Sequence, residues 1–286
     1  FFNYLNGYIC PHFWGSHYVK KLYKHIVILL LLPVFGWAQL AELGLYGGTS
    51  NFVGDVGFGF LPSGYSAGLV YRYQFDERYG LRAQGTFGKV SARDSDSPSI
   101  FKTNRNLEFE SSIFEGALMI EFNFFKYITG SKKYWHTPYI FGGVGFFNFN
   151  PQATFEGDLY DLQPLGTEGQ GSDLSNNAPY GLWGLNIPFG LGYRVSVSDN
   201  ISFTAEVGFR STSTDYLDDV SGSYVGVKNL ERENGALAAY FSDRSLTDTD
   251  KRGTLRGETE RNDWYVFSGI TLFIALTPKG ERCKRF

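Results

Sequence analysis

Hydrophobic and polar positions alternate with a period of two along most of this chain. In "IPFGLGYRVSVSDNISFTAEVGFR" (187–210), Ile187, Phe189, Leu191, Tyr193 and Val195 alternate with Pro188, Gly190, Gly192, Arg194 and Ser196. After "SDN" the pattern resumes, with Ile201, Phe203, Ala205, Val207 and Phe209 set against Ser202, Thr204, Glu206, Gly208 and Arg210. Successive side chains of a strand point to opposite faces, so this stretch predicts a hairpin with one wholly apolar face.

The same reading finds further strands. "AELGLYGG" (41–48) places Leu43 and Leu45 opposite Glu42, Gly44 and Tyr46; "SAGLVYRYQF" (66–75) places Leu69, Tyr71 and Tyr73 opposite Val70, Arg72 and Gln74. "YGLRAQGTFG" (79–88) sets Leu81, Ala83 and Phe87 against Arg82, Gln84 and Thr86. In "NLEFESSIFEGALMIEFNFF" (106–125), Phe114, Leu118, Ile120 and Phe122 oppose Glu115, Met119, Glu121 and Asn123, but Leu107 and Phe109 run in the other phase. A bulge near Ser111 and Ser112 would reconcile the two halves. "TPYIFGGVGFFNFN" (137–150) carries large residues on both faces, and "DWYVFSGITLFIAL" (263–276) supplies an eighth strand with Val266, Ile270, Leu272 and Ile274 on the apolar side.

Eight strands of roughly ten residues have the length of tilted membrane-spanning strands. Short links ("DER", "SDN", and at longest "KYITGSKKYWH") alternate with long ones near 49–65, 91–105, 151–185 and 211–262. That asymmetry predicts an all-β protein: an eight-stranded antiparallel transmembrane β-barrel with short periplasmic turns, long extracellular loops and both termini in the periplasm. A secreted antiparallel sandwich would show the same alternation. Two features favour the barrel. Aromatics gather near strand ends (Tyr71, Tyr73, Phe75, Phe122, Phe124, Phe125, Tyr134, Trp135, Trp264, Tyr265), as interfacial girdles require. The faces opposite the apolar stripes carry Arg72, Arg82, Arg194 and Arg210 with Glu42, Glu115, Glu121 and Glu206, which can neutralise one another inside a filled lumen.

Composition agrees. Aromatics make up 18% of the 286 residues, with 27 Phe and 19 Tyr beside 35 Gly, a mixture suited to strands and tight turns. A net charge of -3 gives no electrostatic case for nucleic acid. "VKKLYKHIVILLLLPVFGWAQ" (19–39) has basic Lys20, Lys21 and Lys24, an apolar run from Ile26 to Val34, and small Gly36 and Ala38. This is the anatomy of a secretory signal, predicting cleavage between Ala38 and Gln39; a transmembrane anchor needs ~20 apolar residues, and Pro33 interrupts a shorter run. The expected organisation is therefore an N-terminal extension plus signal peptide over 1–38, and a barrel with a C-terminal periplasmic tail over 39–286. After cleavage Cys283 is the sole cysteine, so no intramolecular disulfide can form.

Candidate chemistry is sparse. His136 is the one histidine beyond the signal and falls in a predicted periplasmic link, away from the rim where a surface hydrolase would need it. "DYLDDVSG" clusters Asp215, Asp218 and Asp219, without the spacing of a calcium loop, and "YGGTSNFVGDVGFGF" lacks phosphate-loop spacing. The residues predict no catalytic site, cofactor or metal.

"ELGLYGGTSNFVGD" (42–55), "TPYIFGGVGFFNFNP" (137–151), "YDLQPLGTEGQG" (160–171) and "DYLDDVSGSY" (215–224), in that order, resemble the PorG family of outer-membrane proteins of Bacteroidota, associated with type IX secretion and gliding. The resemblance runs from about Ala41 to the C-terminus. It implies a non-enzymatic outer-membrane component, in contact with outer-membrane lipids, that anchors or scaffolds the periplasmic ring of a type IX secretion system, a lipoprotein and its partner protein. The competing readings are a small porin or adhesin-like barrel and a lipid-modifying barrel enzyme. On the predicted topology, Lys126, Lys132 and Lys133 meet Lys279, Arg282, Lys284 and Arg285 of the tail on the periplasmic side. This basic rim, with Tyr134 and Trp135 as apolar anchors, is expected to face either inner-leaflet headgroups or the secretion ring.

Overall fold

The computed structural model describes residues 40–57, 63–175, 177–247 and 250–276. Ala38, Gln39 and the tail residues Lys279, Arg282, Lys284 and Arg285 lie outside the described residues. Eight long strands form the body: β1 (Leu40–Val53), β2 (Gly64–Gln74), β3 (Tyr79–Arg93), β4 (Glu108–Asn123), β5 (His136–Phe155), β7 (Trp183–Ser196), β8 (Ile201–Thr212) and β9 (Trp264–Ala275). A short β6 (Asp158–Asp161) folds back on the end of β5. Its turn has Glu156 and Gly157 both at positive φ (52° and 94°), the two-residue hairpin geometry that glycine favours.

Each long strand pairs antiparallel with its neighbours in the order β4-β3-β2-β1-β9-β8-β7-β5, and β5 pairs with β4 to close a barrel. Closure leaves no edge in the membrane, as a lipid-spanning sheet requires. The links 75–78, 124–135 and 197–200 gather at one end with the start of β1 and the end of β9; the long connections 54–63, 94–107, 156–182 and 213–263 gather at the other.

The outward face carries the apolar stripes. Leu45, Leu69, Leu118, Val144, Leu185, Ile187, Leu191 and Ile270 are among its exposed large hydrophobics, a belt too extensive for water and suited to lipid. Aromatic pairs mark both margins: Tyr73–Phe75 and Phe122–Phe124 toward the short turns, Phe146–Trp183 and Phe189–Trp264 toward the long loops. Tyr265 departs from the expected girdle: its side chain is buried in the lumen, 2.7 Å from Glu115.

The strand pattern also differs from expectation in β4. Pairing with β3 runs unbroken from Tyr79–Phe122 to Arg93–Glu108, so no bulge lies at Ser111 and Ser112. Phe109, Ser111, Ile113, Glu115, Ala117, Met119 and Glu121 all face inward. What changes along the strand is the lumen, polar near the short turns and apolar toward the loops. β1, β3 and β5 also run several residues past their expected ends, because the loops fold into a cap that keeps covering them. Three short helices lie in those loops: α1 (Ile100–Arg105), α2 (Val227–Asn234) and α3 (Ala236–Ser242).

Candidate functional site

Inward positions of six strands bring four arginines and four glutamates into one buried cluster. Arg72 Nη1 lies 2.7 Å from Glu42, Arg82 Nη1 2.6 Å from Glu206, Arg194 Nη2 2.5 Å from Glu121 and Arg210 Nε 3.2 Å from Glu115. Glu121 also lies 3.2 Å from Arg72 and 3.5 Å from Arg82. Charges balance four to four, so the attraction within each pair offsets part of the cost of removing these groups from water. Each guanidinium also lies over an aromatic ring: Arg72 on Phe273 at 3.5 Å, Arg82 on Phe141 at 4.3 Å, Arg194 on Tyr139 at 4.5 Å and Arg210 on Phe267 at 4.6 Å. Tyr139 and Tyr265 donate to Glu206 and Glu115, and Asn186 donates to Glu115 at 2.9 Å.

The short-turn mouth is stoppered by the β4–β5 link. Tyr127 and Thr129 are buried, Thr129 donates to Glu42 at 2.5 Å, and Arg194 sits 5.3 Å from the Tyr127 ring. Gly130, at φ 83°, passes against the Asp199 backbone of the neighbouring turn. Lys126, Lys132 and Lys133 are exposed on this link, while Tyr127 and Thr129 between them turn inward as a plug. Lys126 is paired with Glu77 at 2.6 Å, and Lys133 lies over the Tyr134 ring at 5.2 Å. Lys132 and Lys133 have no ion-pair partner among the described residues, and Trp135 is 45% exposed against His136.

Toward the loops the lumen becomes a hydrophobic core. Tyr46, Val70, Ile113, Phe147, Phe149 and Phe267 from the strands join Leu162, Leu217, Val220 and Phe241 from the long connections in one continuous cluster. The cap therefore shares its core with the barrel rather than resting on it as separate loops.

Two buried arginines tie the cap together. Arg105 grips Asp94 with Nε and Nη2 at 2.7 and 2.9 Å and donates to the carbonyls of Asp55 and Arg256. Arg256 reaches Glu168 at 3.0 Å and donates to the carbonyls of Asp219 and Ser242. Glu168 accepts the N–H groups of Ser221 and Gly222, while Thr167 and Tyr180 donate to Asp219 at 2.5 and 2.6 Å. "GTEGQG" and "DDVSG", far apart in sequence, are thus two halves of one polar clasp.

Asp215 and Asp218 lie close enough to Asp263 to repel its charge, while Asp219 turns to the clasp. Asp218 accepts from the backbone of Val56 and Val220, and Asp219 faces Thr167 and Tyr180. Among the described residues no three His, Cys, Asp or Glu side chains are arranged to hold a metal ion. Burial, aided by the charges of Asp55 and Glu168, pushes Asp215 up to about 7, and burial pushes Asp219 to about 6 despite Arg256. Burial raises Asp218 and Asp263 well above the usual carboxylate range, with Asp55 and Asp218 respectively adding repulsion.

Sequence reasoning missed Tyr127, Thr129, Arg105, Glu168 and Arg256. The two inward arginines of the cap lie in connections without strand alternation, so periodicity could not single them out. The one available signal for Glu168 was its place in a glycine-rich motif.

The family described as "Domain of unknown function (DUF6089)" matches residues 20–284. Among curated proteins no sequence matches the chain. Similar solved structures include Ail, the attachment invasion locus protein of Yersinia pestis, in complex with the heparin analogue sucrose octasulfate, at 9% identity over 83% of this chain and 99% of that one, TM-score 0.40. Neisserial surface protein A has 8% identity over 83% and 96%, TM-score 0.38, and OprG of Pseudomonas aeruginosa has 10% identity over 84% and 99%, TM-score 0.36. The fold assignment itself rests on the strand pairing described above.

Proposed function

Because the chain belongs to the DUF6089 family, a domain of unknown function, its role has to be read from its own geometry, and we propose that it is a non-conducting outer-membrane barrel that anchors a folded recognition cap at the cell surface. The carrying observation is the single hydrophobic core that runs from the upper lumen into the long connections. A water-filled pore needs a polar, open interior, whereas this barrel has a charge-neutral lower lumen, a plugged mouth and an apolar upper lumen. A pre-folded cap binds with little ordering cost, which suits adhesion or assembly. Its role is binding and anchoring, not catalysis. Both termini and the short turns face the periplasm on this reading, and the cap faces out. Reconstitution into planar bilayers tests it: the protein should insert without a stable large conductance, and a sustained porin-like current would overturn the proposal.

A second reading, the one implied by resemblance to PorG, makes the same barrel an anchor for the periplasmic ring of a type IX secretion system. The exposed Trp135 beside Lys132 and Lys133, which have no ion-pair partner among the described residues, favours it as the seat of a periplasmic partner. Co-purification of ring proteins from native membranes tests this reading separately.

A further inference from the structure

β5 outruns both of its barrel neighbours: its pairing with β7 ends at Asn148 and its pairing with β4 at Gln152, whereas the strand continues to Phe155. Its last residues pair only with β6, the end strand of the sheet, whose other side meets no strand among the described residues. The Leu162 N–H donates to the Pro151 carbonyl at 2.9 Å, which fixes the parity of this ladder. Bonded and non-bonded pairs alternate along an antiparallel ladder, so Asp158, Tyr160 and Leu162 turn their backbone groups toward β5, and Leu159 and Asp161 turn theirs away. The N–H and C=O groups of Leu159 and Asp161 thus form an open edge, a template onto which another extended chain can pair.

Packing holds that edge in place. On the cap side of the hairpin, the Phe155 ring lies 4.5 Å from Tyr240 and the Tyr160 ring 6.0 Å from Phe241, which belongs to the core shared with the barrel. On the other side, Asp161 accepts from Asn150 and Gln152 at 2.8 and 2.6 Å, so its carboxylate leans across β5 rather than over the edge. Leu159, between them, is 46% exposed. A strand already ordered loses little further freedom when a partner adds to it.

Charge decides what fits there. Glu156, Asp158 and Asp161 are exposed, and the hairpin from 150 to 162 carries no basic residue. Glu156 and Asp158 have no ion-pair partner among the described residues. A second copy of this chain would crowd Asp158 and Asp161 of both edges into one short ribbon, a like-charge contact that opposes pairing. The same carboxylates attract an extended segment that carries Lys or Arg at its ends and an apolar side chain to lie beside Leu159.

We propose that the free edge of β6 receives an extended basic segment of a partner protein as an added antiparallel strand. The assignment rests on the reading of the cap as a recognition surface and names the partner class of that surface. Conductance tests that reading and strand addition tests this one, so either can fail alone. The full-length protein in detergent at low ionic strength is titrated with the end-blocked peptide Lys-Thr-Val-Val-Thr-Lys, which in antiparallel register sets its cations beside Asp161 and Glu156 and a Val opposite Leu159. Amide hydrogen exchange is followed along the hairpin. Without peptide, the Leu159 and Asp161 amides should exchange much faster than those of Tyr160 and Leu162; they should become protected as the peptide saturates the edge. Binding should weaken about tenfold in Leu159→Pro, the equivalent of one backbone hydrogen bond, and several-fold in Asp158→Asn, while protection of the Leu162 amide shows that the hairpin stays paired in both. The peptide N-methylated at its first Val, which lacks one edge-facing donor, should bind as weakly as the wild-type peptide binds Leu159→Pro. The proposal falls if the two edge amides are protected without peptide, with concentration-dependent protection marking a second copy as the occupant. It also falls if the basic peptide leaves them unprotected, or if the N-methylated peptide or Glu-Thr-Val-Val-Thr-Glu protects them equally well.

Discussion

Arg82 Nη1 lies 2.6 Å from Glu206 Oε2, although the residues are 124 positions apart and their strands, β3 and β8, are not neighbours in the sheet. The pair therefore crosses the lumen. Glu121 sits in the same layer and is shared by Arg72, Arg82 and Arg194, so the network braces opposite walls of the barrel against one another.

Replacing Glu121 with Gln should leave three arginines with an excess of positive charge in a dry interior. Loss of one partner of a buried ion pair costs about 3–5 kcal/mol. Denaturant unfolding of vesicle-reconstituted protein should show a loss of that order, and Arg194→Met in the same background should recover part of it. A loss well below 1 kcal/mol would mean that water reaches the network.

Arg256→Gln should open the cap without opening the barrel. The substitution removes the charged link to Glu168 and shortens the reach to the Asp219 and Ser242 carbonyls. Limited proteolysis should cut within 163–182 and 213–262 faster than in wild type, while heat-modifiable mobility of the membrane-embedded body persists. Equal cleavage rates would refute the clasp.

The cap should loosen as pH rises. Asp215, Asp219, Asp218 and Asp263 have folded-state pKa values above the unfolded range of about 3.9, so the folded cap holds more protons than the unfolded one. Stability then falls with increasing pH from about 4 through about 7, where Asp215 titrates. Amide exchange in the cap should be slower at pH 5 than at pH 8 after correction for intrinsic rates, and Asp215→Asn should flatten the difference. Greater protection at pH 8 would contradict the assignment.

The secretion reading has its own test at the short-turn rim. A variant with Lys132 and Lys133 changed to Glu should insert normally, since neither contributes to the plug, but should lose ring proteins on co-purification. Adding Arg282→Glu and Arg285→Glu should deepen the loss. Wild-type recovery of partners and normal secretion would exclude the rim as the docking surface.

The sequence by itself determined the eight strands and the apolar face of each, because a strand with an apolar surround on one face and a filled interior on the other must alternate with period two, and that period can be read without neighbours. That the sheet closes into a barrel is shown by the pairing of β4 with β5. The sequence also placed all eight lumen charges on the correct parity, from Glu42 to Arg210. The out-of-phase Leu107 and Phe109 were equally legible, but one strand cannot tell a bulge from a change in what its inner face touches. Only closure of the sheet decided that, by setting β4 beneath the cap core. Tertiary structure alone also decided which arginine meets which glutamate, that Tyr127 and Thr129 turn inward, and that Glu168 reaches Arg256. Those contacts join segments distant in sequence and carry no local period, so their partners exist only once the chain has closed on itself.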